Sequence, residues 1–305
     1  MSSSGPTGDD RESSRGRTRR KPAAPDVAAL PPGLYLVAAP IGNARDITVR
    51  ALDVLAAADV IACEDTRVTA KLLTIHGIAT PTTAYHEHNA RRAGPALIAR
   101  MARGQAVALV SDAGTPLVSD PGYRLVQAAI AADLAVTPIP GPSSVLAALT
   151  VAGLPTDRFL FVGFLPPKPT GRRQALAGLA ALPTTLVFLE TAPRLAGSLD
   201  DMAAQLGDRP AVVARELTKM YEEVRRGSLA ELAARYAEAG APKGEIVVLV
   251  GPPVREAASD AEVDRALADA LDKMSVKDAA ASVAATTGRP RREVYRRALD
   301  LAEKR

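Results

Sequence analysis

A chain of 305 residues exceeds one typical core and points to two domains with an appendage. Its 47% hydrophobic and 24% charged residues are ordinary for a soluble globular protein, while 3% aromatics and no Trp leave Ala, Val and Leu to build the core and argue against base-stacking platforms of the kind used on single-stranded RNA. The net charge of +4 is unevenly spread: residues 1–30 carry +2 and residues 288–305 carry +4, so 31–287 carry −2. That pattern fits a catalytic body with cationic arms and a polyanion such as RNA as partner; it equally fits basic tails that are merely solvated.

Residues 1–30 are rich in Ser, Gly, Pro and Arg and cannot bury a core, so this tail is expected to be disordered. Arg19 and Arg20 are followed by no apolar stretch, and no signal peptide is read. Apolar runs such as "VLAALTVAGL" are far shorter than a membrane span. The single cysteine, Cys63, excludes an internal disulfide framework and fits a reducing cytoplasm.

From residue 31 onward short apolar runs alternate with helical patterns. Strands are predicted at 34–39, 59–63, 106–112 and 135–140. Helices are predicted from Thr48, through Leu72 and Leu73, over 122–132 and over 143–152. This alternation predicts an α/β domain over 31–153 with a mainly parallel sheet. "GFLPPKPTGRR" (163–173) interrupts it with three prolines and two glycines and reads as a linker. A second α/β domain, over 154–253, is predicted with strands at 184–190, 211–216 and 245–250, closed by Gly251-Pro252-Pro253. Residues 260–305 read as helical and resemble a helix-turn-helix unit. Ser275 to Asp278 has the form of a capping box, and Gly288 and Pro290 divide two helices. The last helix carries Arg291, Arg292, Arg296 and Arg297, a plausible nucleic-acid contact; a generic helical pair is the plainer reading.

Four unusual segments share one position, each following a predicted strand: Pro40 to Asn43, Glu64 to Arg67, Ser111 to Pro116 and Pro140 to Ser144. In a parallel sheet they would emerge together at the carboxyl ends of the strands, where open α/β sheets bind ligands. Neither a G-x-G-x-x-G fingerprint nor a phosphate-binding loop is present. Small residues, free carbonyls and carboxylates suit a cofactor that is cationic at its reactive centre and carries an adenosine, such as S-adenosylmethionine. Glu64, Asp65, Asp112 and Asp120 could hold magnesium, but carboxylates at strand ends more often cap the next helix or bind hydroxyls, and no metal is read here. His86 and His88 in "YHEHN" would share one face of an extended stretch and read as a polar cleft wall.

The motifs "LYLVAAPIGNARDIT", "CEDTR", "SDAGTPLVSDPGY", "PIPGPSS", "FVGFLPPK", "FLETAPRL" and "RELTKMYEE", in this order, closely resemble the tetrapyrrole methylase family of S-adenosylmethionine-dependent methyltransferases, in its branch that acts on ribosomal RNA. The resemblance spans roughly residues 33–251, and the helical tail resembles that branch's C-terminal extension. Ala39 and Ser144 stand where Thr and Ala are usual, both conservative departures. The resemblance implies two α/β domains with the cofactor in the interdomain cleft, a homodimer, and 2′-O-methylation of a cytidine ribose in the decoding centre of small-subunit ribosomal RNA, free or in an assembled subunit. It places the cofactor against Pro40, the loop with Asp112, Ala113, Gly114, Thr115 and Val118, Ser143 and Ser144, and the segments Phe164–Leu165 and Ala214–Arg215.

A ribose hydroxyl is a weak acid, so a general base is expected beside it. The candidates are Glu64 and Asp65, slightly favoured by their place at the strand edge, and Glu216 and Lys219, of which Lys219 would need a depressed pKa. Arg67 and Arg194 suit RNA phosphates, and a structural Asp65–Arg67 pair is the plain alternative. A corrin-pathway tetrapyrrole methyltransferase and a non-catalytic RNA-binding assembly factor are the competing readings.

Overall fold

The computed structural model describes residues 29–253 and 258–303. All but the end of the N-terminal tail expected to be disordered lies outside the described residues. The chain divides into two compact units between Ser144 and Val145. The sequence had placed the boundary at 153/154.

In the first unit five short strands form one sheet: β1 (Gly33–Val37), β2 (Val60–Cys63), β3 (Thr82–Ala84), β4 (Ala106–Val110) and β5 (Val136–Ile139). Their order is β3-β2-β4-β1-β5, and every pairing is parallel. Helices α1 (Val49–Ala57), α2 (Thr66–His76), α3 (Ala90–Ala102) and α4 (Tyr123–Ala131) make the crossovers. Successive strand residues point to opposite faces. Tyr35 and Val37 join Val54, Leu55 and Leu73 in one core, while Leu34 joins Leu97, Met101 and Leu125 in the other. A sheet buried on both faces is what the continuous apolar runs "VIAC" and "AVALV" demand. β3 escaped the sequence reading because "TTA" is a short, half-buried edge strand.

The second unit takes in all but the first residue of α5 (Ser144–Ala152) and continues through β6 (Phe159–Phe164), α6 (Pro169–Ala177), β7 (Thr185–Thr191), α7 (Leu195–Leu206), β8 (Pro210–Arg215), β9 (Glu223–Ser228), α8 (Leu229–Ala239) and β10 (Glu245–Val250). The sheet order is β6-β7-β10-β8-β9; only β6 and β7 pair in parallel. The segment 163–173 is therefore no linker. It holds the end of β6 and the start of α6, where Pro169 takes the first helical turn, a position that does not need its missing N–H. Leu176, Phe188, Leu199, Val213, Leu232, Tyr236 and Val248 form the core on one face of this sheet. Asp201 on α7 accepts from both Arg172 and Arg173 at 2.6 Å, which ties α6 to α7.

Three further helices, α9 (Asp260–Leu271), α10 (Val276–Thr287) and α11 (Arg291–Glu303), pack around Val263, Leu267, Ala280, Val283, Val294 and Ala298. Gly288, with φ of 71°, ends α10 in the left-handed region, as the sequence placed it. Ser275 caps α10 by accepting from Asp278 N, but Asp278 does not reach back to the Ser275 backbone. The reciprocal boxes are at Ser228 with Glu231 and Ser259 with Glu262, where the longer glutamate closes the ring. No helix among the described residues is long and apolar enough to cross a membrane.

Candidate active site

The four segments singled out from the sequence meet at the carboxyl ends of the first unit's strands, tied by specific bonds. Ala39 and Gly114 exchange both backbone hydrogen bonds, at 2.8 and 3.0 Å, which joins the Pro40 segment to the 111–122 loop. Thr115 Oγ1 donates to the Pro142 carbonyl at 3.2 Å, which adds the Pro140–Ser144 segment. Asp65 N donates to Asp112 Oδ1 at 3.1 Å, which adds the Glu64–Arg67 segment. The 111–122 loop is held in an uncommon conformation: Leu117 and Ser119 have φ of 73° and 65°. Such backbone persists only where surrounding contacts over-determine it. Gly122 ends the loop with φ of 138°, and a Cβ there would stand 2.8 Å from a methyl carbon of Leu109.

The carboxylates of this rim differ in state. Asp65 caps α2 and is gripped by Arg67, whose Nη2 lies 2.6 Å from Oδ2. That bond pulls its pKa to about 2 and leaves it a weak base. Burial, and then the charge of Asp112, push Glu64 above its ordinary value. Burial pushes Asp120 up to about 6, with Glu64 and Asp112 adding to the rise against a hydrogen bond from Ser111. Asp120 does not cap α4; Gly122 holds that position without a side-chain bond. The titration of Asp120 was not legible from its sequence place, although the motif "SDAGTPLVSDPGY" did mark the segment. His86 and His88 sit in a turn rather than an extended stretch, with ring centroids 6.1 Å apart. His86 Nδ1 is buried without a partner, and the His86 charge acts to lower Glu64. Among the described residues no three His, Cys, Asp or Glu side chains are placed to hold a metal ion.

The second unit's candidates are ordered by ion pairs. Glu216 and Thr218 adopt positive φ of 51° and 66°. Glu216 Oε1 accepts from Glu245 N at 2.9 Å and from Lys219 Nζ at 2.8 Å, and Lys219 also reaches Glu245 at 3.0 Å. Gly244 makes room for this: a Cβ there would lie 2.3 Å from the Glu216 side chain. Burial acts to lower the Lys219 pKa, but the bonds to Glu216 and Glu245 outweigh it and raise the pKa, opposite to what a base requires. Leu165 and Ala214 are buried, and Phe164 is half exposed. Arg215 pairs with Glu223 at 3.3 Å.

The basic residues also separate. Arg194 donates to the carbonyls of Leu165 and Pro166, at 2.7 and 3.3 Å, and braces that turn. Arg297 forks onto Asp264 at 2.8 and 2.7 Å and pairs with Asp260, so it holds α11 to α9. Arg291, Arg292 and Arg296 are exposed on α11. Arg67, largely exposed, is oriented by Asp65.

A parallel sheet with cofactor-type loops at one edge, a second mixed sheet and a terminal helical triad define a two-unit methylase architecture. The sequence pattern described as Tetrapyrrole (Corrin/Porphyrin) Methylases matches residues 33–233, and the one described as RsmI C-terminal HTH domain matches residues 257–302. The chain belongs to the tetrapyrrole methylase family. It is similar to Ribosomal RNA small subunit methyltransferase I of Mesorhizobium japonicum, 56% identical over 90% of this chain and 94% of the relative. Its likeness to the protein of that name from Escherichia coli O157:H7 is 46% over 88% and 94%. Among solved structures, uroporphyrin-III-C-methyltransferase from Thermus thermophilus superposes with a TM-score of 0.51 at 25% identity, over 72% of this chain and 93% of the other. The methyltransferase CobJ gives a TM-score of 0.55 at 20% identity, over 74% and 97%, a likeness of fold. The resemblance drawn from the seven motifs agrees with these matches, and family membership agrees with S-adenosylmethionine as the cofactor.

Proposed function

We propose that this protein methylates the 2′-oxygen of a cytidine ribose in the decoding centre of small-subunit ribosomal RNA. The likeness to Ribosomal RNA small subunit methyltransferase I over nine-tenths of the chain carries this reading. The loop assembly at the first sheet's edge supports it, as do exposed Arg291, Arg292 and Arg296 in a helical unit of the matching kind. The protein is expected to work as a homodimer in the cytoplasm.

The first unit's loops suit the cofactor on their own chemistry. Glu64 and Asp120 have raised pKa values, partly because Asp112 stands near both. A cation among them relieves that repulsion. Bound S-adenosylmethionine supplies an activated methyl group on a sulfonium. The backbone of Pro40 and of the Asp112–Val118 loop, with Ser143 and Ser144, would hold and orient it; these contacts, like those of Phe164, Leu165, Ala214 and Arg215, are implied by the resemblance. Orientation in line with the attacking oxygen provides a large part of the acceleration. Glu64 is the better base of the two favoured candidates, since Asp65 is committed to Arg67 and to the cap of α2. Glu64 would take the proton of the ribose hydroxyl and so make its oxygen the nucleophile toward the methyl group.

The decisive test is methyl transfer from labelled S-adenosylmethionine to assembled small subunits and to naked ribosomal RNA, followed by nucleoside mass spectrometry. Ribose-methylated cytidine is the expected product. Label in no RNA, with cofactor binding intact, would redirect the reading to a small-molecule acceptor.

A further inference from the structure

A pocket of about 590 Å³ opens in the second unit, and Arg215 is the one candidate cofactor or catalytic residue among those lining it. Its wall holds Arg215, Arg225, Arg235 and Lys243 against a single carboxylate, Glu223, with Tyr221 and Tyr236 completing it. Glu223 is already bonded to Arg215 and Arg225. Arg235 and Lys243 form no ion pair within 4 Å among the described residues, although Glu231 and Glu238 stand near Arg235 on its other side. The pocket is also ordered: Arg215 Nη1 donates to the Lys243 carbonyl at 3.0 Å and fixes the loop before β10.

One polar atom in the wall lacks a partner. Tyr236 is 5% exposed, and its hydroxyl is buried with no hydrogen bond. A buried hydroxyl left unsatisfied costs about 1–3 kcal/mol, which a ligand acceptor would relieve. Burial, and then the charge of Glu223, raise the pKa of this phenol, so it stays a donor at neutral pH.

The face of the sheet matters too. Arg215 and Val213 alternate with Ala214 along β8, and in the register with β9 they oppose Glu223 and Arg225. Val213 and Tyr236 share the helix-covered core. The pocket therefore lies on the helix side of the sheet, opposite the side to which Ala214 points. A lone phosphate would leave most of such a volume empty, whereas pockets of this size commonly bury most of a drug-sized ligand.

We propose that this pocket binds a backbone phosphate of single-stranded RNA, with Arg235, Lys243 and the Tyr236 hydroxyl as donors and the exposed Tyr221 ring beside the adjoining nucleoside. It rests on the reading that RNA is the acceptor, and it adds a contact made by the second unit. Both cations are exposed, so their removal leaves the fold intact.

The test uses the full-length R235A/K243A double variant and, separately, Tyr236→Phe, which removes only the hydroxyl. Three quantities are read: cofactor affinity by calorimetry, kcat and KM for RNA methylation, and the salt dependence of binding to a labelled single-stranded RNA. For the double variant KM should rise about tenfold with kcat and cofactor affinity held, and the slope of log K against log salt should fall by about 1.4, two contacts at about 0.7 each. Tyr236→Phe should raise KM in the same direction by about threefold, the loss of one hydrogen bond. Wild-type KM and salt slope in both variants would overturn the phosphate site while leaving the methylation reading in place. A fall in kcat with KM unchanged would overturn it as well, since it would mark a structural role. A wild-type protein that methylates no RNA would overturn the functional reading first and this site with it.

Discussion

The acidic rim of the first unit and the Glu216–Lys219–Glu245 loop of the second are built from similar residues and end in opposite states. In the loop each charge has found its partner: Lys219 is bridged to two carboxylates, and the pKa of Glu216 is lowered, chiefly by its bond to Lys219. On the rim, burial, with the charge of Asp112 adding to it, raises the pKa values of Glu64 and Asp120. A satisfied network stabilises a backbone bend; an unsatisfied one waits for a proton or a cation. Sites of chemistry belong with the second kind.

The largest effect should come from removing the proposed base. Glu64→Gln is expected to lower kcat by about 10²–10⁴-fold with cofactor affinity retained. Asp65→Asn should stay within about threefold of wild type, because Asn caps a helix as well as Asp does. Equal losses in the two variants would erase the distinction between them. In the second unit, Gly244→Ala forces a Cβ into the Glu216 side chain at a φ of 99°, and should destabilise the fold by about 2 kcal/mol in chemical denaturation. Lys219→Met leaves Glu216 without its cation and should cost about 1 kcal/mol, with little change in kcat if the residue is structural.

The smallest effect depends on pH. Asp120 has its pKa raised to about 6 in the fold, so between roughly pH 4 and pH 6 the folded chain holds a proton that the unfolded chain has lost. Stability contributed by this group is thus present below pH 4 and falls as pH rises through 6. Asp120→Asn should leave the melting temperature unchanged at pH 4 and raise stability at pH 8; solvent screening at this half-exposed carboxyl limits the gain to about 1 kcal/mol. The same residue should make cofactor binding release protons near pH 6, measurable by calorimetry in buffers of different ionisation enthalpy. Binding without proton release would mean that the cation does not settle among these carboxylates.

The parts of the fold legible in the sequence were those where local and tertiary demands coincide. β1, β2, β4, β7, β8 and β10 are apolar runs because they are buried on both faces, and the four loops declared themselves through Gly, Pro and Asp at the strand ends. β9, "EVRRGS", carries three charges on an edge strand and has no apolar signature. Proline misled in 163–173, because Pro169 starts a helix as readily as it breaks one. The fates of the arginines were unreadable in principle. Arg296 and Arg297 are neighbours on α11, yet one faces solvent and the other is locked onto Asp264, 33 residues earlier in the chain. Asp65 and Glu64 are likewise adjacent, and the bond from Arg67 to the one and the burial of the other tell them apart.

The pair of backbone bonds between Ala39 and Gly114 gives the 111–122 loop the standing of an extra rung on the sheet. A segment tied there, at Pro142 and at Asp65 surrenders its conformational entropy when the chain folds, not when a ligand arrives. A molecule that settles against it loses only its own freedom of motion, so a modest number of backbone contacts can yield tight binding. The affinity of the site is then set by how firmly the first unit is folded. Mutations deep in its core, at Leu109 for example, should weaken the grip on a ligand they never touch.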